Sequence, residues 1–192
     1  MGNQADRPSG RLIFVKHGQP QIVAGQPPSS WVLSPEGRLA AMALAEGLNA
    51  FAPVALWTSP ELKARETARA MGQVFELPPV VDADLAEHHA DNGPFNTQED
   101  FEGRVERMFS RPHELMMGEE TGLAARLRFD GAVARLQSGP EGTKVIVAHG
   151  RVITLWLSHR LGFDPMPFWR RLAPTSAAVL SEDGQIFEIV TA

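Results

Sequence analysis

The chain has 192 residues, 43% of them apolar, enough for one compact domain that folds without staples. It has no cysteine, which excludes disulfides, thiolate metal sites and a Cys nucleophile. Its formal charge of -5 argues against generic nucleic-acid binding but leaves room for a local basic pocket. No apolar run is long enough to span a membrane. The polar opening from Met1 to Gly10 lacks the layout of a signal peptide, and Asp6 stands where a myristoylation motif needs Ser or Thr. The expectation is a cytoplasmic protein with a loose tail over residues 1–10 and a single domain over residues 11–192.

In chain order, Leu12-Ile13-Phe14-Val15 is a short, uninterrupted run of β-formers ending in Lys16-His17-Gly18, which predicts a strand buried on both faces. Ser34-Pro35-Glu36-Gly37 sets an N-cap Ser before a Pro at the first helical position, with Leu39, Met42, Ala43 and Leu48 following at helical spacing. Val54 to Thr58 reads as a second strand, and Ser59-Pro60 is expected to open a helix running to about Phe75. After a short Val80-Val81 strand come helices over 97–110 and 119–138. Val145-Ile146-Val147-Ala148 repeats the first design, ends in His149-Gly150, and leads into a helix from Arg151 to Leu161. Ala177–Leu180 and Gln185–Val190 read as a terminal hairpin about Asp183-Gly184. Strands alternating with helices predict an α/β domain with a mostly parallel sheet and helices on both faces.

Two strands each end in His-Gly. In an open parallel sheet, ligands bind outside the carboxyl ends of the strands, so His17 and His149 are expected to share one crevice. A glycine after each lets the backbone approach a ligand closely, and the helix after His149 would aim free N–H groups there. That combination suits an oxyanion, phosphate above all. A neutral imidazole can attack phosphorus and hold the phosphoryl group, a second can stabilise the transferring oxygens, and an acid must protonate the leaving alcohol. Glu87, in a turn after the Val80-Val81 strand, is the candidate acid, with Asp84 or Asp91 as alternatives.

Five ordered segments resemble the histidine phosphatase superfamily, the phosphoglycerate-mutase-like fold. They are Leu12 to Gln19, Leu33 to Gly37, Thr58 to Ala68, Leu85-Ala86-Glu87, and Val145 to Gly150. The resemblance implies a phosphohistidine on His17, a phosphoryl-binding His149 and a proton-donating Glu87. It places Lys16 and Lys63 where the family has two phosphate-clamping arginines, and Gln19 at a polar position that can touch substrate. Lys keeps the charge of Arg but loses its planar, two-pronged grip. Arg151 is then the candidate for restoring a guanidinium, with Arg65 a weaker one.

The implied function is phosphomonoester hydrolysis on a small phosphorylated substrate, with no metal, cofactor, nucleic acid or membrane required. The alternatives are a non-catalytic or vestigial module that binds phosphorylated ligands or free phosphate, and a mutase-type phosphotransferase. His88 and His89, with His17, His149 and Asp91, offer a weaker metal reading, without ligands at helical i, i+4 spacing. His113 and His159 read as surface or helix packing, Trp57 and Trp156 as core, and Met116-Met117 as core rather than lid. Trp31 is an open alternative for the rim of the site, and Arg170-Arg171 reads as an exposed basic pair.

Overall fold

The computed structural model describes residues 10–90, 97–181 and 184–192. The expected tail therefore lies, except for Gly10, outside the described residues, as does Asp91. Six strands form one sheet in the order β3-β2-β4-β1-β5-β6. They are β1 (Leu12–Lys16), β2 (Pro53–Thr58), β3 (Val80–Val81), β4 (Thr143–Ala148), β5 (Ser176–Leu180) and β6 (Ile186–Thr191). β1, β2, β3 and β4 run parallel, whereas β5 and β6 are the expected antiparallel hairpin.

Alternation along the two central strands divides the core into two layers. Ile13, Val15, Val145 and Val147 face α1 (Pro35–Leu48) and α2 (Leu62–Phe75), through Leu44, Leu48, Ala68 and Met71. Phe14, Ile146 and Ala148 face the other layer: α3 (Gln98–Ser110), α4 (Gly122–Gln137), α5 (Gly150–Leu161) and α6 (Pro165–Arg171). Phe14 is fully buried there, its ring centroid 5.0 Å from that of Trp156 and 6.1 Å from that of Phe129. Trp57 is partly buried against this layer, and Met117 lies within it. This is the single α/β domain with helices on both faces that the pattern predicts. Among the described residues no helix is long and apolar enough to cross a membrane.

Local chemistry fixes the helix starts. Ser34 Oγ accepts from the Gly37 N–H at 2.9 Å, with Pro35 at N1, as expected for α1. The start of α2 differs from expectation. Its N-cap is Glu61 rather than Ser59, and the helix begins at Leu62. Glu61 itself is extended, with φ -67° and ψ 141°, so the helix cannot start at Pro60, and the Ser59 hydroxyl accepts from the Glu61 N–H of that turn and lies 2.7 Å from His149 Nε2. α4 begins at Gly122, behind the N-cap Thr121, rather than at 119. α6 lies in a stretch that reads as loop because of Pro165 and Pro167. Both prolines fall in the first turn, where no intrahelical N–H bond is lost, and the Asp164 side chain accepts from the Met166 N–H.

Candidate active site

Register is what brings the two histidines together. β1 and β4 are parallel neighbours in which Lys16 pairs with Ala148, so the next residue of each chain is a histidine at the same sheet edge. The His17 N–H donates to Ala148 O at 2.9 Å, and the ring centroids lie 5.1 Å apart. β2 sits on the far side of β4. Ser59 N–H donates to Val147 O, which sets Ser59, Glu61 and Lys63 beside His149. β3 then delivers the turn that carries Glu87. All four parallel strands thus contribute from their carboxyl ends.

The two imidazoles are held differently. His17 Nδ1 lies 2.8 Å from Gly18 O. A carbonyl oxygen only accepts, so Nδ1 carries the proton and Nε2 keeps its lone pair. His149 is held through Nε2, 2.7 Å from Ser59 Oγ and 3.3 Å from Glu61 Oε1. Both rings are neutral at pH 7. Burial pushes the His17 pKa well down, and His149 and Lys63 push it further. Burial also lowers His149, against the opposing charge of Glu87.

The cations and carboxylates interlock. Lys16 Nζ donates to Leu172 O at 2.7 Å, and burial lowers its pKa. Lys63 Nζ donates to Pro28 O at 2.6 Å and to Glu61 Oε2. Glu61 Oε1 also accepts from the Glu87 N–H at 2.8 Å. The Glu87 carboxylate accepts from the N–H groups of His88 (2.9 Å), Val152 (3.1 Å) and Arg151 (3.2 Å), and Arg151 Nε lies 3.3 Å from it. Burial would raise the Glu87 pKa, but the Arg151 guanidinium and these N–H donors hold it far below the usual carboxylate range. The turn carrying Glu87 is gripped in turn by Arg128 of α4. Its Nη1 donates to Asp84 O (2.9 Å) and Ala86 O (2.7 Å), its Nη2 to Glu87 O (2.6 Å), and its Nε and Nη2 to Glu120.

Lys16, His17, Glu61, Lys63, Glu87 and His149 line a cleft of about 530 Å³, within the range of small-molecule sites. Buried neutral imidazoles, one whose Nε2 has no hydrogen bond among the described residues, sit beside ammonium groups and a fixed carboxylate, an arrangement that can accept a phosphoryl group. A family model of the histidine phosphatase superfamily (branch 1) matches residues 12–192. The chain belongs to that superfamily. Solved structures resemble this chain along nearly its whole length. A mycobacterial glucosyl-3-phosphoglycerate phosphatase in complex with inorganic phosphate is 26% identical with a TM-score of 0.70, over 95% of this chain and 96% of the other. A phosphoserine phosphatase from Entamoeba histolytica, in complex with 3-phosphoglyceric acid, is 17% identical with a TM-score of 0.68, over 95% and 98%. No curated protein sequence matches.

Of the site residues read from the sequence, Lys16, His17, Lys63, Glu87, His149 and Arg151 all line the cleft. Gln19 does not. It is exposed, and its backbone carbonyl accepts from Ser34 N–H at 2.9 Å. The chain turns so tightly here that a Cβ on Gly37 would lie 2.5 Å from Gln19 O. Neither Gly18 nor Gly150 has a positive φ. Gly18 is required by crowding, since a Cβ there would lie 2.7 Å from Leu33 Cδ1 and 2.9 Å from Gly37 O. Two of the first N–H groups of α5, expected to face an anion, are taken by Glu87: those of Arg151 and Val152. The Arg151 guanidinium is committed to Glu87 and, through Nη2, to His88 O at 3.2 Å. Arg65 does not line the cleft.

His88 is buried with Nε2 on Glu120 O, His89 is exposed, and both edge the cleft. His113 and His159 are exposed. Among the described residues no group of three His, Asp or Glu is arranged to hold a metal ion. Glu61 and Ser59 escape a reading of the sequence, since Glu61 falls between the motif positions and Ser59 mimics an N-cap. The signal that could find Glu61 is its spacing: a carboxylate two residues before the buried Lys63.

Proposed function

We propose that this protein is a phosphomonoester hydrolase that works through a phosphohistidine on His17. The observation that carries the reading is the His17 ring, pinned by its Nδ1–H on Gly18 O, with no hydrogen bond to Nε2 among the described residues and a second imidazole 5.1 Å away. Nε2 attacks in line, so that the N–P bond forms as the ester P–O bond breaks. Lys16, Lys63 and His149 carry the countercharge, and the scheme needs no metal.

The leaving oxygen needs a proton, and Glu87 in the resting site is a carboxylate. A phosphate monoanion brings that proton with it. As the phosphate enters, its like charge raises the proton affinity of Glu87, which relays the proton to the departing alcohol. Water then attacks phosphorus, its proton passes by way of Glu87 to the departing phosphate as the N–P bond breaks, and inorganic phosphate monoanion leaves a neutral His17 and a Glu87 carboxylate. The second pKa of a phosphomonoester lies near ~6. Turnover is therefore expected to fall as the pH rises above that value, and a rate rising steadily to pH 9 contradicts the relay.

A second reading, binding without turnover, draws on Glu61, whose carboxylate already engages Lys63 and His149 where a phosphoryl group would sit. Acid-quenched, labelled protein separates the two. An alkali-stable, acid-labile adduct on His17 with turnover supports the hydrolase. Tight phosphate binding without adduct supports the binding module.

A further inference from the structure

The cleft continues past the histidines, and its outer wall has a different composition from its inner end. The wall is built from Trp31, Phe101 and Trp169, with the rings of Pro20, Pro28 and Pro60 between them. Phe101 and Trp169 form a tilted pair with centroids 5.9 Å apart, and the Arg151 guanidinium carbon lies 5.9 Å from the centroid of Phe101. Three elements converge to make this surface: the segment after the 3-10 turn Pro28–Ser30, α3 and α6. A site of this volume is several times larger than a phosphate needs, so the remaining space belongs to the alcohol.

The charges give the second half of the inference. Among the described residues, the lysines and arginine lining the cleft are Lys16, Lys63 and Arg151, all at the phosphoryl end and all bonded to protein oxygens. The acidic group beyond that end, among the described residues, is Glu119, exposed at the rim. An alcohol bearing a carboxylate or a second phosphate would set an unpaired anion against aromatic rings and Glu119, losing hydration without gaining a partner. A polyol would find Ser29, His88 and His89 in the lining, but prolines and aromatic faces make up most of the outer wall and leave the greater part of its hydroxyls unpaired. A flat apolar group gains stacking and burial there.

Building on the hydrolase reading, we propose that the substrate is a phosphomonoester of an uncharged, largely apolar alcohol carrying a flat or aromatic group, and that Trp31, Phe101 and Trp169 set this preference. The test uses alcohols of similar leaving ability, so that reactivity does not stand in for recognition. kcat/KM for benzyl phosphate is expected to exceed that for glycerol phosphate by about 10-fold or more, with 3-phosphoglycerate lowest. Trp31→Ala removes a loop side chain and is expected to lower kcat/KM for benzyl phosphate about 10-fold more than for glycerol phosphate, mainly through KM. Trp31→Phe restores most of the difference. Equal values across the three substrates, a preference for 3-phosphoglycerate, or an equal loss on both esters in Trp31→Ala overturns the assignment.

Calorimetry on the wild-type chain keeps the test independent of catalysis. Benzylphosphonate is expected to bind about 10-fold more tightly than methylphosphonate, and phosphonoacetate no more tightly than methylphosphonate. That order without any adduct on His17 upholds the ligand class and overturns the hydrolase. Adduct and turnover without that order uphold the hydrolase and overturn the ligand class.

Discussion

His17 and His149 stand in the same local sequence, at the same edge of neighbouring parallel strands, yet opposite ring nitrogens are fixed. His17 is tied by Nδ1 to the carbonyl of its own next residue. His149 is tied by Nε2 to Ser59 and Glu61, which arrive from β2 and the start of α2. A local tether costs nothing in register and leaves Nε2 of His17 for chemistry. A tether from another strand makes His149 part of a charge network that includes Lys63 through Glu61. The difference teaches that a His-Gly strand end specifies position, while the partners of the ring specify its role.

The largest effect expected from breaking this asymmetry is in His17→Ala, which should lose turnover by ~10³-fold or more together with all acid-labile adduct. Full activity in that variant rules out His17 as the acceptor. His149→Ala removes the stabilising partner and not the nucleophile, so turnover should drop by about 10²-fold while adduct still forms slowly. Loss of adduct as complete as in His17→Ala would make the two rings equivalent. Glu61→Gln frees Lys63 and His149 from a competing carboxylate and should tighten inorganic phosphate binding by about 10-fold, as seen by calorimetry. Weaker binding would show that Glu61 organises the site rather than competing for it.

The pH dependence of stability sharpens the comparison further. His17, His149 and His88 have folded-state pKa values below the ordinary 6.5, so the unfolded chain binds more protons than the folded one as the pH falls through that value. Their contribution is complete above about pH 7.5 and is lost on acidification, and the loss continues until the folded-state values are passed. Glu87, depressed from 4.5, adds a second loss as the pH falls below that value. Tm should fall between pH 7.5 and 5.5, and the slope should flatten in either His→Ala variant. A level wild-type profile over that range contradicts buried neutral imidazoles. The smallest effect is Gly18→Ala, which forces a methyl group against Leu33 and Gly37 O and should cost about 1–3 kcal/mol, measured by denaturant unfolding.

Much of this was legible because strands and strand ends carry strong local signals. The apolar runs before His17 and His149, the helix start at Ser34-Pro35 and the hairpin all follow from periodicity and turn chemistry, and the convergence of the two histidines follows from parallel pairing. What was not legible depends on tertiary partners. Ser59 reads as an N-cap until His149, 90 positions away, takes its hydroxyl. Gln19 reads as a site residue until the close approach of Gly37 fixes its backbone and leaves its side chain outside the cleft. The aromatic wall is assembled from three distant segments, none of which carries a pattern of its own. α6 is hidden because two prolines in a first turn look like a loop.

Arg128 carries a consequence for how the protein lets go of its product. All five of its guanidinium contacts are with oxygens of the chain itself, and Arg151 is likewise committed. On the proposed reading these two planar cations serve architecture, and the guest falls to the ammonium groups of Lys16 and Lys63, which hold by charge rather than by shape. A point contact separates in one step where a paired contact needs two. Inorganic phosphate should therefore dissociate readily and inhibit turnover only weakly.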